Sequence, residues 1–345
     1  MAKDYTGFQE QGVNLTKADI RKKQLEVIEI YKKSLADVRK KIERLYSVGL
    51  DGIKPENYYN HVIKFNRLDK LEKAILKDLT ALNKQVNLLT AQASALSYSN
   101  NYYRMQYATN WLSPYRFTKA SENAVNYSVF QDLDSFKKLS QQYQRLLEVQ
   151  SGLTLSKTLT SNNTKSVQKV SQALTQSLIQ GKSFTQTAKE IRSSFNGNLA
   201  DSLRVVRTES HRTLNQGELI QWNDAKAQGV EGTRQIISTL DTRTRRQSGQ
   251  VDGRRENEFG LFNYPEGRTG ENGVSSPGNS GKAKWDINDR ETVINIIAGE
   301  SPQLRRGRNP STGENEVFTY RDFNTWTKEN NLKYNKSGRL VETSK

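Results

Sequence analysis

Ile28, Tyr31, Leu35, Val38, Ile42 and Leu45 alternate steps of three and four residues. That spacing is the seam of a helix packed against another helix. A second seam follows at Ile75, Leu79, Leu82, Val86, Leu89, Ala93 and Leu96. Thr16 is placed to cap the first helix, with Asp19 at the capping-box position, and Gly49 with the segment 51–55 ends it. Two helices of about 30 residues joined by a short loop predict an antiparallel hairpin, with an oligomeric coiled coil as the competing arrangement. Little else in the chain can form a broad core. Only 34% of the 345 residues are apolar and the mean hydropathy is −0.82. An elongated chain of two or three domains with narrow apolar seams is the expectation.

The composition excludes several chemistries. The chain has no cysteine, which removes disulfides, thiolate chemistry and Cys-ligated zinc. His61 and His211 are its two histidines and lie far apart in sequence, so neither a metal nor another cofactor is expected. No apolar run reaches membrane-spanning length, and the first residues lack the pattern of a signal peptide. The formal charge is +16, and residues 1–200, with 30 Lys+Arg against 17 Asp+Glu, carry +13 of it. Such a half attracts polyanions with an affinity that falls as salt rises. A lysine-rich solvated helix surface explains the same excess.

Further along, Tyr103, Tyr107 and Trp111 recur every four residues on a helix that Pro114 terminates. They read as core or partner interface ahead of base stacking. Residues 151–165, rich in Ser, Thr and Asn, read as a linker. Val167, Val170, Leu174 and Leu178 then mark a helix ending at Gly181. Ser183 and Gln186 form a capping box for the next, with Phe184, Ala188, Ile191 and Phe195 on its apolar face and Asn196-Gly197 as its break. A third helix runs from Leu199 to Ala227, stopped by Gly229. Beyond it the chain mixes short elements. Residues 235–240 and 316–320 read as strands, Asn288 as the cap of a helix through Ile297, residues 271–284 as a mobile loop, and 322–330 as a helix carrying Phe323 and Trp326. Trp222 and Trp285 read as core anchors with their indole N–H groups satisfied.

The most distinctive stretch runs from Asp241 to Gly253. It holds Arg243, Arg245 and Arg246 beside Asp241 and Asp252, with Arg254 and Arg255 directly after it. Three readings compete. A catalytic site lacks a local base to activate Ser248. A phosphate clamp suits bidentate arginine, but residues 201–260 are nearly neutral, so acidic partners are at hand. A structural role pairs the arginine forks with Asp241, Asp252 and Glu209, and uses Asp252-Gly253 as a turn. The residues favour the structural reading, then phosphate, then catalysis. Arg305, Arg306 and Arg308 form a separate basic stretch that is a candidate contact for a DNA backbone.

Several blocks in this region occur in a characteristic order. They are Val205-Val-Arg207-Thr208-Glu209-Ser210, then Asp241-Thr-Arg243-Thr244-Arg245, Asp252-Gly253, Phe259 and Tyr264-Pro265. Together they resemble the phage minor head proteins, the Mu F-like head morphogenesis family, over residues 165–326. Arg207, Thr208 and Glu209 match a helical RTE element. Asp241, Arg243, Thr244 and Arg245 match a D-x-R-T-R element, and Asp252 and Gly253 match an Asp-Gly turn. Two departures matter. Ser248 stands where many members have histidine, and the family's Asn-Cys-Arg-Cys element is absent, with residues 281–288 in its place. Both departures favour a structural role for the motif here.

The elements read from the residues predict an α+β fold, mainly α, with a basic helical domain over 1–150, the linker 151–165 and a polar tail over 331–345, and the resemblance makes 166–330 a Mu F-like domain (helices to 228, mixed α/β from 229). The N-terminal helices resemble the family only in helical character, and the resemblance bears on function. It implies a low-copy virion component of the head interior or portal vertex, present in the host cytoplasm during assembly. Its partners would be portal, capsid or scaffold proteins and double-stranded DNA bound without sequence preference, with possible oligomerisation through the N-terminal helices. Roles in head assembly, DNA packaging or ejection follow. The competing class is an enzyme, transferase- or nuclease-like, with Glu209, Arg243 and Asp252 as its working residues.

Overall fold

The computed structural model describes residues 5–112, 155–265, 273–297, 300 and 302–343. Helices dominate, with three small two-stranded antiparallel sheets, so the fold is α+β and mainly α. The helices are α1 (Tyr5–Arg44), α2 (Tyr58–Lys64), α3 (Arg67–Leu112), α4 (Leu155–Ile179), α5 (Phe184–Ala227), α6 (Arg246–Val251), α7 (Ala283–Asp286) and α8 (Phe323–Glu329). The strands are β1 (Gly232–Ile237), β2 (Thr292–Ile297), β3 (Leu304–Arg308), β4 (Asn315–Thr319), β5 (Leu332–Tyr334) and β6 (Leu340–Glu342).

The chain divides into two compact units that do not follow sequence order. One comprises residues 21–91 and 153–206, the other residues 1–20, 92–152 and 207–345. In the first unit much of the two seams is buried within one chain, with Ile28, Leu35 and Leu89 half-buried and Val27 taking the inner position beside Ile28. Val27, Tyr31, Val38 and Ile42 of α1, Leu45 just past its end, and Leu71, Ile75, Leu79, Leu82 and Val86 of α3 lie inside, joined by Val170, Leu174 and Leu178 of α4 and Ile191 and Phe195 of α5. Lys41 pairs with Asp78. The Tyr31 ring meets Phe195 edge-on at 6.3 Å, and its hydroxyl shares a 2.8 Å hydrogen bond with that of Ser202. The capping box forms as its spacing predicts. The Ser183 amide donates to Gln186 Oε1 at 2.9 Å, and the Gln186 amide donates back to Ser183 Oγ.

Several local expectations are corrected. Thr16 caps nothing: it lies inside α1, buried, with its hydroxyl donating to the Gly12 carbonyl one turn earlier. Asn196-Gly197 does not break α5, which runs unbroken for 44 residues. A helical glycine costs only about 1 kcal/mol, and buried Phe195, Val205 and Val206 on either side outweigh that. Residues 155–165 belong to α4 and are not a linker. Residues 332–342 form the β5–β6 hairpin, because Leu332 and Leu340 are buried beside Phe323 and Trp326. Pro114, residues 113–154 and residues 266–272 lie outside the described residues.

In the second unit β1 and β2 pair from Gly232↔Ile297 to Ile237↔Thr292. All six residues of β2 are buried. This segment is therefore a strand and not the helix expected behind Asn288, which instead adopts φ 56° in the preceding turn. The β-branched run Thr-Val-Ile-Asn-Ile-Ile, buried on both faces, explains the outcome. The outer edge of β2 is closed by a side chain. Gln9 of α1 accepts from the Asn295 amide at 2.9 Å and donates to its carbonyl at 3.0 Å, as a neighbouring strand would. The loop expected to be mobile is packed over 274–279, where Val274 exchanges backbone hydrogen bonds with Phe262 and Ser276 and Asn279 are buried. The helix expected over 322–330 forms as α8, and Asp322 caps it by accepting from the Thr325 amide at 2.7 Å.

Candidate functional site

The arginine stretch and its surroundings are organised around buried carboxylates. Asp241, at the end of the segment after β1, is 2% exposed. Arg290 donates to both its oxygens, at 2.7 and 2.6 Å, and Arg243 donates from Nε and Nη2 to Oδ2 at 3.2 and 2.9 Å. Burial alone would raise the Asp241 carboxyl. Hydrogen bonds and charge from Arg290, and then hydrogen bonds from Arg243, outweigh that and hold it at about 2. Thr244 reinforces the turn through its hydroxyl, which donates to the Thr239 carbonyl.

Asp252 is the second hub. Arg305 forks onto it at 2.8 and 2.6 Å, and each of the two side chains is 1% exposed. Asp252 also accepts from the amides of Ser238 at 2.6 Å and Phe323 at 2.7 Å. One carboxylate thus ties β1's exit, β3 and the start of α8. Gly253 follows with φ 78°, a left-handed turn that favours glycine. Arg245 acts differently. It donates to the carbonyls of Trp285 at 2.8 Å and Lys284 at 3.2 Å, and pairs with Asp289 at 3.5 Å. Trp285 is half-buried and held through this backbone bond rather than as a core anchor.

A third cluster was not singled out in the sequence. Arg234 of β1 donates from Nε to Glu256 Oε2 at 2.7 Å, and to the carbonyls of Ser275 and Gly260 at 2.9 and 2.7 Å. Trp222, 1% exposed as expected of an anchor, donates its indole N–H to Glu256 Oε1 at 3.1 Å. Glu218 of α5 lies 3.6 Å from the same guanidinium, beyond hydrogen-bond reach, and neither of its oxygens accepts a hydrogen bond among the described residues. Burial pushes its carboxyl up to about 7, against the pull of Arg234 and with a further push from Glu256.

Around these hubs α5 buries a row of polar side chains. Glu209 pairs with Arg212 on its own helix, not with the arginines of 243–255. His211 Nε2 lies 2.7 Å from the Glu291 carbonyl, and burial, followed by the charge of Lys17, lowers its pKa to about 3, so it stays neutral. Thr208 accepts from the Asn288 amide at 3.4 Å, while Arg207 is exposed. Tyr264 donates to Glu291 at 2.9 Å, and Pro265 beside it is half-buried. Ser248 is buried, and its carbonyl accepts from the Ser238 hydroxyl at 2.6 Å.

The structure therefore joins Asp241, Arg243, Thr244 and Arg245 in one turn, makes Asp252 the centre of a separate set of bonds to Arg305, Ser238 and Phe323, and gives Glu209 a different partner. One expectation is overturned. Arg305 cannot contact a DNA backbone from this position, because its guanidinium is buried on Asp252, Ser238 and Arg321. Strand alternation explains the split: Arg306 and Arg308 face outward on β3 while Arg305 and Gly307 face inward. Among the described residues no group of three or more His, Asp or Glu is arranged to hold a metal ion. No described helix is long and apolar enough to cross a membrane.

The class of protein to which the chain is similar is the phage minor head protein. The particular relative is minor head protein GP7 of Bacillus phage SPP1, 28% identical over 273 residues, which cover 79% of this chain and 81% of that protein. That extent supports the minor head protein family read from the motif blocks. A second relative is the NAD(+)–arginine ADP-ribosyltransferase EFV of Enterococcus faecalis (strain ATCC 700802 / V583). It is 21% identical over 315 residues, 90% of this chain and 58% of that protein. No family model matches the chain, and no solved structure matches it.

Proposed function

We propose that the chain is a structural minor head component that binds portal, capsid or scaffold proteins during head assembly. In this reading it also contacts packaged double-stranded DNA without sequence preference, chiefly through the basic residues 1–200. The observation that carries the structural part is the extent of similarity to a phage minor head protein, together with motif carboxylates consumed by arginines of the same chain. The charge excess of the first 200 residues supports the DNA part. The reading places the protein in the virion, at the head interior or portal vertex, after assembly in the host cytoplasm.

Mass-spectrometric quantification of purified virions, before and after genome release, tests it. A low, fixed copy number per particle is expected; absence from the particle contradicts the reading. Duplex binding by the full chain should weaken linearly in log affinity against log salt, and a salt-independent affinity contradicts the DNA part.

The similarity to an ADP-ribosyltransferase favours a second reading, an enzymatic role for the C-terminal module with Glu209, Arg243 and Asp252 at work. Against it, Glu209 and Asp252 are buried on arginine partners. Alanine at Glu209 and Asp252 separates the two. Loss of folding supports architecture, while intact folding with lost turnover supports catalysis.

A further inference from the structure

The arginines of this module divide into two kinds. Arg234 and Arg305 are 1% exposed and spend their forks on buried carboxylates and carbonyls. Arg243 is different: 67% of its side chain is exposed, although it touches Asp241. Asp241 is already matched, since Arg290 occupies both its oxygens. Two guanidinium groups thus share one carboxylate, leaving one positive charge over. An ion pair this exposed contributes about 0–1 kcal/mol to the fold, so the fold gains little from Arg243.

Arg243 and Arg308 line one open cleft, of about 210 Å³, together with Asp241, Thr242, Asn309 and Gly313. Arg308 is exposed and forms no ion pair among the described residues. Glu316, the cross-strand partner of Gly307, accepts from the Asn309 side-chain amide at 2.8 Å. Of the cleft's lining residues, Arg243 and Arg308 are cationic and Asp241 is acidic, and Asp241 is already engaged by Arg290 from outside the lining, so the cleft is net positive. Among the described residues Arg243 Nη1 and both Nη groups of Arg308 are left unused, the Arg308 Nε donating to the Gly313 carbonyl. Planar guanidinium forks of this kind match the paired oxygens of a phosphate.

We propose that the cleft between Arg243 and Arg308 binds a phosphodiester group of nucleic acid. This deepens the DNA part of the proposed function. It adds a contact in the C-terminal module, separate from the basic residues 1–200. Arg308 stays in the role its sequence suggested, Arg243 replaces Arg305, and Arg290 remains a structural tie.

The test compares three full-length proteins: the parent, Arg243→Ala/Arg308→Ala, and Lys333→Ala/Lys336→Ala, which removes the same charge from exposed sites of the same module. Equilibrium binding to a short DNA duplex is measured across a salt series, with unfolding midpoints measured alongside. The arginine double variant should bind about tenfold more weakly, with its log–log salt slope reduced by about 1. The lysine control should stay within about twofold of the parent, and all three midpoints should agree. Duplex binding identical in the parent and the arginine variant overturns this inference and leaves the wider DNA reading standing. A parent that binds no duplex overturns both. A fourth arm uses inorganic pyrophosphate as the probe. If the parent binds it, the arginine variant does not, and all three bind duplex equally, the cleft belongs to a small phosphate compound and the nucleic-acid assignment fails.

Discussion

Glu218 and Arg234 face each other at 3.6 Å with both side chains 1% exposed, and the guanidinium is already committed to Glu256. Glu256 has a second cation in Lys226 at 3.6 Å. Glu218, whose oxygens accept no hydrogen bond among the described residues, has this more distant guanidinium to set against its burial and is the carboxyl that holds a proton.

The folded Glu218 titrates at about 7 against an ordinary 4.5. A group raised in this way stabilises the fold fully below pH 4.5, and that contribution is lost as pH rises through 7. The loss is on the order of 3 kcal/mol. Glu218→Gln should therefore be more stable than the parent at pH 8, with the gap closing at pH 5. Urea unfolding at the two pH values reads this directly, and a difference that does not change with pH sinks the assignment.

Asp241 runs the other way. Its carboxyl is held at about 2, below the ordinary 3.8, by Arg290 and Arg243 after burial has opposed them. Its contribution is present above pH 3.8 and is lost as pH falls through 2. Asp241→Asn leaves Arg290 facing a neutral amide, and breaking a buried pair costs about 3 kcal/mol. The variant should melt lower at pH 7 and lack the parent's loss of stability between pH 4 and pH 2. Thermal scans over that range check both statements.

Two glycines of α5 make opposite predictions. A Cβ on Gly217 would sit 2.4 Å from the Tyr98 carbonyl of α3, whereas one on Gly197 meets nothing within 4 Å. Gly217→Ala should destabilise by about 1–3 kcal/mol through overpacking. Gly197→Ala should stabilise by about 0.5–1 kcal/mol through helix propensity. Equal and small effects at the two sites, measured by denaturant midpoints, would contradict the close crossing of α3 and α5.

The capping box offers a local test. Ser183→Ala removes one of two reciprocal bonds at the start of α5 and should cost about 1 kcal/mol. Ser183→Asp should restore the loss, because aspartate caps equally well and favours a helix N-terminus. Unfolding midpoints of the two variants decide between capping and no role.

These tests also mark what the chain shows before it folds. The seams of α1 and α3, the Ser183–Gln186 box and the helix over 322–330 were legible, because each depends on residues within a turn or two of one another. Asp241 and Asp252 were legible as carboxylates needing arginine. Their true partners Arg290 and Arg305 were not, since those lie 49 and 53 residues away and strand pairing brings them in. Glu218 and Arg234 gave no signal, because a buried charge reads in sequence as an ordinary surface residue. The alternation of β3 carried one usable clue: of Arg305, Arg306 and Arg308, the odd-faced Arg305 had to point away from the other two. The family resemblance supplied the class but not which arginine ties which carboxylate.

The central claim is that the Arg/Asp motif is architecture, an internal tie holding β1's exit, β3 and α8 together. A double-mutant cycle on Asp252 and Arg305 tests it most directly, using Asp252→Asn, Arg305→Met and the pair, with unfolding free energies measured at pH 7. The account predicts that each single change costs about 3 kcal/mol and that the double costs far less than their sum. Singles that leave stability at the parental value, or losses that simply add, would contradict it.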